Sequence, residues 1–162
     1  MAGLVRGDFG VYSVFEQKLY RIGADDACGI GVFARASYSP PDRNLIDYYA
    51  DTGLEFVGLA DGRPKDKFGI AAAYAHVSPR SRALDFDFRR LLTPVWPARS
   101  SEGLVTAAYQ YELRAGWTVQ PNFQFIVRPG GGATNPLSAL SGRALKNAEV
   151  FVLLKSAEIL SF

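Results

Sequence analysis

Apolar and polar residues alternate with a period of two over much of this chain, most regularly between residues 102 and 128. In the first half of that stretch, one side carries Val105, Ala107, Tyr109, Tyr111 and Leu113, and the other carries Thr106, Gln110, Glu112 and Arg114. In the second half, Trp117, Val119, Pro121, Phe123, Phe125 and Val127 alternate with Thr118, Gln120, Asn122, Gln124 and Arg128. This period predicts β-strands with one apolar and one polar face. The short connection at Gly116 predicts an antiparallel hairpin.

Five further segments have strand-like patterns, which we place at residues 9–20, 30–38, 45–59, 68–75 and 147–162. The double proline Pro40-Pro41 separates the second segment from the third, because proline has no backbone N–H and interrupts a strand. Two long segments, 78–101 and 129–146, are predicted to be irregular. The sequence therefore predicts an all-β chain of about seven antiparallel strands.

Aromatic residues cluster toward the strand ends on the apolar side, whereas a soluble sandwich usually fills its apolar face with Val, Ile and Leu. A transmembrane β-barrel has an apolar exterior bordered by aromatic residues and a polar, water-filled interior. The pattern therefore predicts an antiparallel transmembrane β-barrel wall. No apolar run approaches the roughly 18 residues of a membrane helix.

Composition limits the possible partners without choosing the fold. The chain is 48% hydrophobic and 13% aromatic with a formal charge of +2, values that fit a barrel or a soluble domain. Its balanced charge, with no basic block, argues against nucleic acid as a partner. The single cysteine, Cys28, excludes an intrachain disulfide and any multi-cysteine metal site.

Several short strings carry a resemblance to a known family. In chain order they include Phe33-Ala34-Arg35, Ser39 to Ile46, Tyr49-Ala50-Asp51, Gly62-Arg63-Pro64, Ala73-Tyr74-Ala75, Ser81 to Asp85, Trp117 to Pro121 and Arg128 to Gly131. Together, in this order and at this spacing, they resemble the C-terminal half of the carbohydrate-selective porins (OprB type). The resemblance implies an outer-membrane porin that lets sugars diffuse passively through a water-filled barrel of about sixteen strands.

The resemblance also implies that residues 1–162 are the C-terminal part of one barrel domain whose N-terminal part is absent. Carbohydrates, outer-membrane lipid and that absent part are then the expected partners. Residues 1–6 carry no export signal, as expected of such a part, and the terminal Phe162 resembles a barrel-insertion signal. Glu158 departs from the family pattern, which would place an apolar residue there.

A sugar channel needs polar side chains that exchange hydrogen bonds with hydroxyl groups, and aromatic faces on which pyranose rings can rest. The polar-face residues that are candidates for lining the channel and contacting sugar are Arg35, Asp47, Tyr49, Asp51, Glu55, Gln110, Glu112, Arg114, Gln120, Asn122 and Gln124. For each of them, the alternative is that it solvates a wet wall without touching solute.

Neither an enzyme nor a cofactor is expected. His76, the only histidine, has no convincing nucleophile to activate. Asp47 and Asp51 are spaced about 13 Å apart along one strand, too far for the paired acids of glycoside hydrolysis. Asp25-Asp26 lacks further ligands for a metal.

A different class of protein stays open at this level. These strands could form a self-contained small β-barrel or a soluble, lipocalin-like binding module. Such a module would bury Tyr109, Tyr111, Trp117, Phe123 and Phe125, whereas a porin would leave them exposed to lipid or detergent.

Overall fold

A computed structural model describes residues 7–23, 27–58, 60, 62–114, 116–133 and 148–156. Its strands are β1 (Val11–Arg21), β2 (Gly29–Tyr38), β3 (Ile46–Val57), β4 (Lys67–Val77), β5 (Ser101–Arg114), β6 (Trp117–Val127) and β7 (Ala148–Ser156). Two helices, α1 (Pro79–Leu91) and α2 (Pro129–Gly132), lie in the connections after β4 and β6. The predicted all-β fold with about seven strands is therefore confirmed.

The seven strands form one antiparallel sheet in the order of the sequence, from β1 to β7. Each strand pairs with the strand that follows it in the chain, whether the connection between them is short or long. This arrangement is a β-meander. At the β5–β6 turn, Gly116 adopts a φ of +81°, a conformation that costs glycine little and other residues more. The register is continuous across the centre of the sheet, so residues on one face of a strand meet residues on the same face of its neighbours.

Apolar side chains of this sheet are not packed into a core. Among the residues that the structure describes, the buried hydrophobic residues are Cys28 and Val77. Large apolar side chains stay exposed in the middle of the sheet, including Ile70 at 42%, Phe123 at 48% and Phe125 at 41%. Strands β2 to β6 are each paired on both sides, as backbone in an apolar surrounding must be, whereas β1 and β7 each pair with one described strand.

The segment 78–101 is not irregular throughout, because residues 79–91 form helix α1. Ser78 caps the helix, its Oγ accepting a hydrogen bond from the Ser81 N–H at 3.3 Å, and Pro79 occupies the first turn, where its missing N–H costs nothing. The Ser78 N–H also donates to the Leu45 carbonyl at 2.9 Å, which ties the helix start to the β2–β3 connection. Neither described helix has the length and apolar character needed to cross a membrane.

Three strand pairs contain a register shift, and these change which face a side chain occupies. The shifts lie between Lys18 and Tyr20, between Ile46 and Tyr48, and between Glu112 and Arg114. At each, one residue has no partner opposite it, as in a β-bulge. Each bulge lies near a strand end, so the central register is undisturbed.

Some predictions fall outside the described residues. They concern the N-terminal segment 1–6, the pair Asp25-Asp26, most of the second long segment, and residues 157–162 with Glu158 and Phe162.

Candidate functional site

One face of the sheet, here called the polar face, carries most of the polar residues that the sequence analysis singled out. The register aligns Arg35 of β2 with Asp51 of β3 and Ala73 of β4, and continues to Leu104 of β5 and Ile126 of β6. Because side chains alternate along each strand, every second residue from these positions shares the polar face. The polar-face candidates are Arg35, Tyr49, Asp51, Glu55, Gln110, Glu112, Gln120, Asn122 and Gln124.

An ion pair joins two of these candidates across β2 and β3. The Arg35 guanidinium donates from Nε and Nη2 to both carboxylate oxygens of Asp51, at 2.5 to 3.1 Å. The Tyr49 hydroxyl donates to Asp51 Oδ2 at 3.2 Å. Asp51 is only 8% exposed, whereas the Arg35 side chain is 54% exposed. The carboxylate thus holds the arginine in a fixed orientation on an open surface.

The remaining candidates form smaller contacts along the polar face. Glu55 lies 3.5 Å from Lys67 Nζ, and Gln110 is aligned with that lysine on the next strand. Asn122 accepts a hydrogen bond from Thr106 Oγ1 at 2.8 Å. Strand β4 lies between the polar positions of β3 and β5. On this face, from residue 69 to residue 75, it presents only small residues, which project little from the sheet: Gly69, Ala71, Ala73 and Ala75.

Two candidates do not join the polar face, because each lies at a bulge. Asp47 is the unpaired residue opposite β4, and its Oδ1 lies 2.7 Å from Nδ1 of His76. Arg114 is aligned with Trp117, and its guanidinium carbon lies 4.8 Å from the centre of the Trp117 ring. Trp117 belongs to the opposite face, here called the aromatic face. Strict alternation had assigned both residues to the polar face, and the bulges change that assignment.

A cluster at the β3–β4 turn was not foreseen from the sequence. Arg63 donates to both oxygens of Asp66, from Nε at 2.5 Å and from Nη2 at 3.0 Å, and the Tyr109 hydroxyl donates to Asp66 at 2.6 Å. The hydrogen bond from Arg63, with those from Tyr109 and the Glu112 N–H, lowers the pKa of Asp66 to about 2 against the opposing effect of burial. Arg63 also lies over the Tyr111 ring at 3.7 Å. This network holds the β3–β4 turn against the C-terminal part of β5, where Tyr109, Tyr111 and Glu112 lie.

A second unforeseen cluster fixes the long β4–β5 connection. Asp85 of α1 is 1% exposed and accepts hydrogen bonds from the Arg99 N–H, Nε and Nη2 at 2.8 to 3.0 Å, and from Trp96 Nε1 at 3.4 Å. Burial opposes ionisation of Asp85, but these hydrogen bonds outweigh it, so its pKa lies below the ordinary value. A sequence signal for the helix existed in Ser78-Pro79, but none pointed to a pair 14 residues apart.

Comparison with known proteins places this sheet in a family. The sequence profile of the carbohydrate-selective porin, OprB family, matches residues 2–155. The chain belongs to the OprB family. The resemblance drawn from the short strings is thereby confirmed.

Relatives of this porin-family chain agree with it in sequence and fold. Porin B of Pseudomonas aeruginosa is 28% identical, in an alignment covering 80% of this chain and 32% of that protein. The high-pH structure of Pseudomonas putida OprB superposes with a TM-score of 0.71 at 27% identity, covering 76% of this chain and 31% of that one. The low-pH structure gives 0.53 at 26% identity, covering 72% and 31%. The chain thus spans about a third of the length of these relatives.

The chemistry available on the polar face is that of hydrogen bonding and fixed charge. Within the described residues, no group of three or more His, Cys, Asp or Glu side chains could hold a metal ion. The polar face offers guanidinium and hydroxyl donors beside carboxylate and amide acceptors, the set of groups that a solute rich in hydroxyls can pair with.

Proposed function

We propose that this chain forms part of the wall of an outer-membrane β-barrel through which sugars diffuse passively. Residues 1–162 act as a segment of one barrel domain, with the polar face toward a water-filled lumen and the aromatic face toward lipid. Membership in a family of carbohydrate-selective porins supports the choice of sugar as solute. Passive diffusion requires no covalent step, so no catalytic residue is assigned.

The observation that carries the proposal is the separation of charge between the two faces. Between the bulges, the aromatic face of β1 to β6 carries no Asp, Glu, Lys or Arg, whereas the polar face carries Arg35, Asp51, Glu55 and Lys67. A charged side chain facing lipid costs about 2–4 kcal/mol at the membrane midplane. A sheet with one uncharged, exposed aromatic face and one charged face therefore suits a boundary between lipid and water.

A sheet of seven strands is too narrow to close around an aqueous pore. In the described part of the chain, β1 pairs only with β2, which leaves one edge of β1 available to a further strand. The proposal therefore includes additional strands that complete the barrel. A soluble binding module would instead bury the aromatic face, and Trp117, Phe123 and Phe125 are all exposed in this sheet.

A chimera tests the proposal directly. The segment of Pseudomonas aeruginosa Porin B that aligns with this chain is replaced by residues 2–155, and the purified protein is reconstituted into liposomes. We expect a folded barrel, seen as a heat-dependent shift in electrophoretic mobility, and liposome swelling in glucose comparable to that with Porin B. A chimera that fails to form a barrel, or a folded one that excludes sugars, would overturn the proposal.

The chain on its own provides a second check. Expressed alone, it should require detergent to stay in solution and should not conduct ions across a bilayer, because its lumen is not closed. Monodisperse behaviour in plain buffer would instead support the soluble module.

A further inference from the structure

Phe33 is an aromatic residue on the polar face, at a position where glycine leaves room for its ring. Phe33 is aligned with Gly53 of β3 and alternates with Arg35 along β2. A Cβ atom added to Gly53 would lie 2.7 Å from Phe33 Cε1 and 2.8 Å from the Cβ of Ala71. The ring therefore occupies the space that a side chain at residue 53 would take, and it rests against the backbone of β3. Such a close approach requires glycine at residue 53.

An open hollow lies beside this ring. Its volume is about 350 Å³, and its polar-face lining consists of Glu16, Lys18, Gly31, Phe33 and Glu55. Gly31 forms its floor, being aligned with Lys18 on one side and Glu55 on the other. A Cβ atom added to Gly31 would meet only the Gln17 carbonyl oxygen, at 3.8 Å. The volume is at the lower end of the roughly 300–1,000 Å³ found for small-molecule sites.

Charged groups surround the ring and the hollow in fixed positions. On one side, the Arg35 guanidinium carbon lies 5.3 Å from the centre of the Phe33 ring, and Asp51 holds that guanidinium in place. On the other side, Glu55 is paired with Lys67 at 3.5 Å. Donors and acceptors thus stand at the margin of an apolar surface, each oriented by a partner on the neighbouring strand.

We propose that Phe33 and the hollow above Gly31 form a pyranose-binding subsite on the barrel wall. A pyranose ring has an apolar face of C–H groups and a rim of hydroxyls that both donate and accept hydrogen bonds. The Phe33 ring takes the apolar face, the Glu16 and Glu55 carboxylates accept from hydroxyls, and Arg35 donates to them. The Glu16 and Glu55 carboxylates are offset by Lys18 in the lining and by Lys67 beside Glu55, so the subsite has no excess of one charge and suits a neutral sugar. This inference rests on the proposed function and adds a solute-binding position to it.

The test measures sugar binding to the full chain by saturation-transfer NMR. The chain is held in lauryldimethylamine oxide micelles, whose head group contains no sugar, and methyl α-glucopyranoside is the probe. Sorbitol, an open-chain polyol without a ring face, is the control solute. We expect saturation to pass to the ring protons of the glucopyranoside and only weakly to sorbitol. Equal transfer to both solutes would contradict the stacking arrangement.

Two variants and a matched control locate the site. Phe33→Leu removes the aromatic face and keeps an apolar side chain, and Gly31→Val places a side chain in the hollow, where the nearest atom to an added Cβ lies 3.8 Å away. Phe33→Leu should raise the dissociation constant of the glucopyranoside about two- to tenfold, the effect of losing one aromatic contact, and Gly31→Val should also raise it, by occupying the hollow. Phe123→Leu makes the same change on the aromatic face and should leave it unaltered. Wild-type affinity in Phe33→Leu would overturn the proposal.

The same variants in the Porin B chimera separate the subsite from the channel. Passage of glucose through the chimera together with unchanged binding in Phe33→Leu would refute the subsite and leave the channel proposal intact. Binding that depends on Phe33, with no passage of sugar, would refute the channel and leave a sugar site. Circular dichroism first establishes whether the chain alone forms strands in micelles. If it forms none, the deciding measurement is the ratio of glucose permeation to sorbitol permeation through the chimera. If the chimera carrying Phe33→Leu has the same ratio as the unsubstituted chimera, the subsite proposal is overturned.

Discussion

Replacing Asp85 with alanine should release the connection between β4 and β5 while leaving the sheet in place. Asp85 is almost fully buried and accepts four hydrogen bonds, three from Arg99 and one from Trp96. Its partners belong to the segment that returns from α1 to β5. Because no strand contributes to this cluster, the loss of structure in the variant should be confined to residues 78–100.

The expected magnitude follows from the burial of the two partners. Removing one member of a buried ion pair costs about 3–5 kcal/mol when the other charge is left without solvent. The Arg99 side chain is 29% exposed, so part of its charge returns to water in the variant. We therefore expect the local free energy of opening to fall by about 2–3 kcal/mol, which corresponds to a roughly 30- to 150-fold larger open population.

Limited trypsin digestion measures this opening, because α1 contains Arg80, Arg82, Arg89 and Arg90. Cleavage within a helix requires local unfolding, and at low protease concentration its rate follows the open population. The fragments are identified by mass spectrometry, and cleavage elsewhere serves as the internal reference. Asp85→Ala should be cut in α1 about 30- to 150-fold faster than the wild type.

The control variant is Asp87→Ala, which removes an exposed carboxylate from the same helix. It should change the cleavage rate by no more than about twofold, as surface substitutions do. If Asp85→Ala is cut no faster than Asp87→Ala, the buried cluster does not hold the loop and the reasoning fails.

Three further predictions concern stability. Folding lowers the pKa of Asp66 from its ordinary value of 3.8 to about 2, so its stabilising effect is complete above about pH 5 and is lost as the pH falls from 3.8 toward 2. In urea unfolding, the difference in free energy of unfolding between wild type and Asp66→Asn should shrink over that interval. A constant difference would contradict this. Ser78→Ala should reduce the free energy of local opening of α1 by about 1 kcal/mol through loss of the helix cap, measured by hydrogen exchange; unchanged exchange would argue against the cap. Gly53→Ala should lower the urea midpoint by the equivalent of about 1–3 kcal/mol, because its Cβ meets atoms at 2.7 Å. Gly69→Ala is the control and should not lower it, because the nearest atom there is at 3.8 Å. Equal effects of the two substitutions would refute the steric account.

Local sequence patterns do not predict the face of a residue where pairing between strands decides the geometry. Alternation assigned Asp47 and Arg114 to the polar face, but a bulge at each position turns the residue toward His76 or Trp117. A bulge depends on the neighbouring strand and the turn beyond it, and a single strand carries no reliable signal of it. Pro79 was interpreted as part of an irregular loop, although after Ser78 it also fits the first turn of a helix.

The sequence by itself indicated about seven strands, the hairpin at Gly116 and, outside β1 and the bulges, which residues share a face, because side-chain alternation is a property of each strand alone. Only the tertiary structure decided which residues meet. The pairing of Asp85 with Arg99, the contacts of Tyr109 and Glu112 with Asp66, and the placement of Phe33 over Gly53 all join residues distant in sequence. Those contacts arise from register and loop closure, which depend on the whole sheet and not on any local pattern.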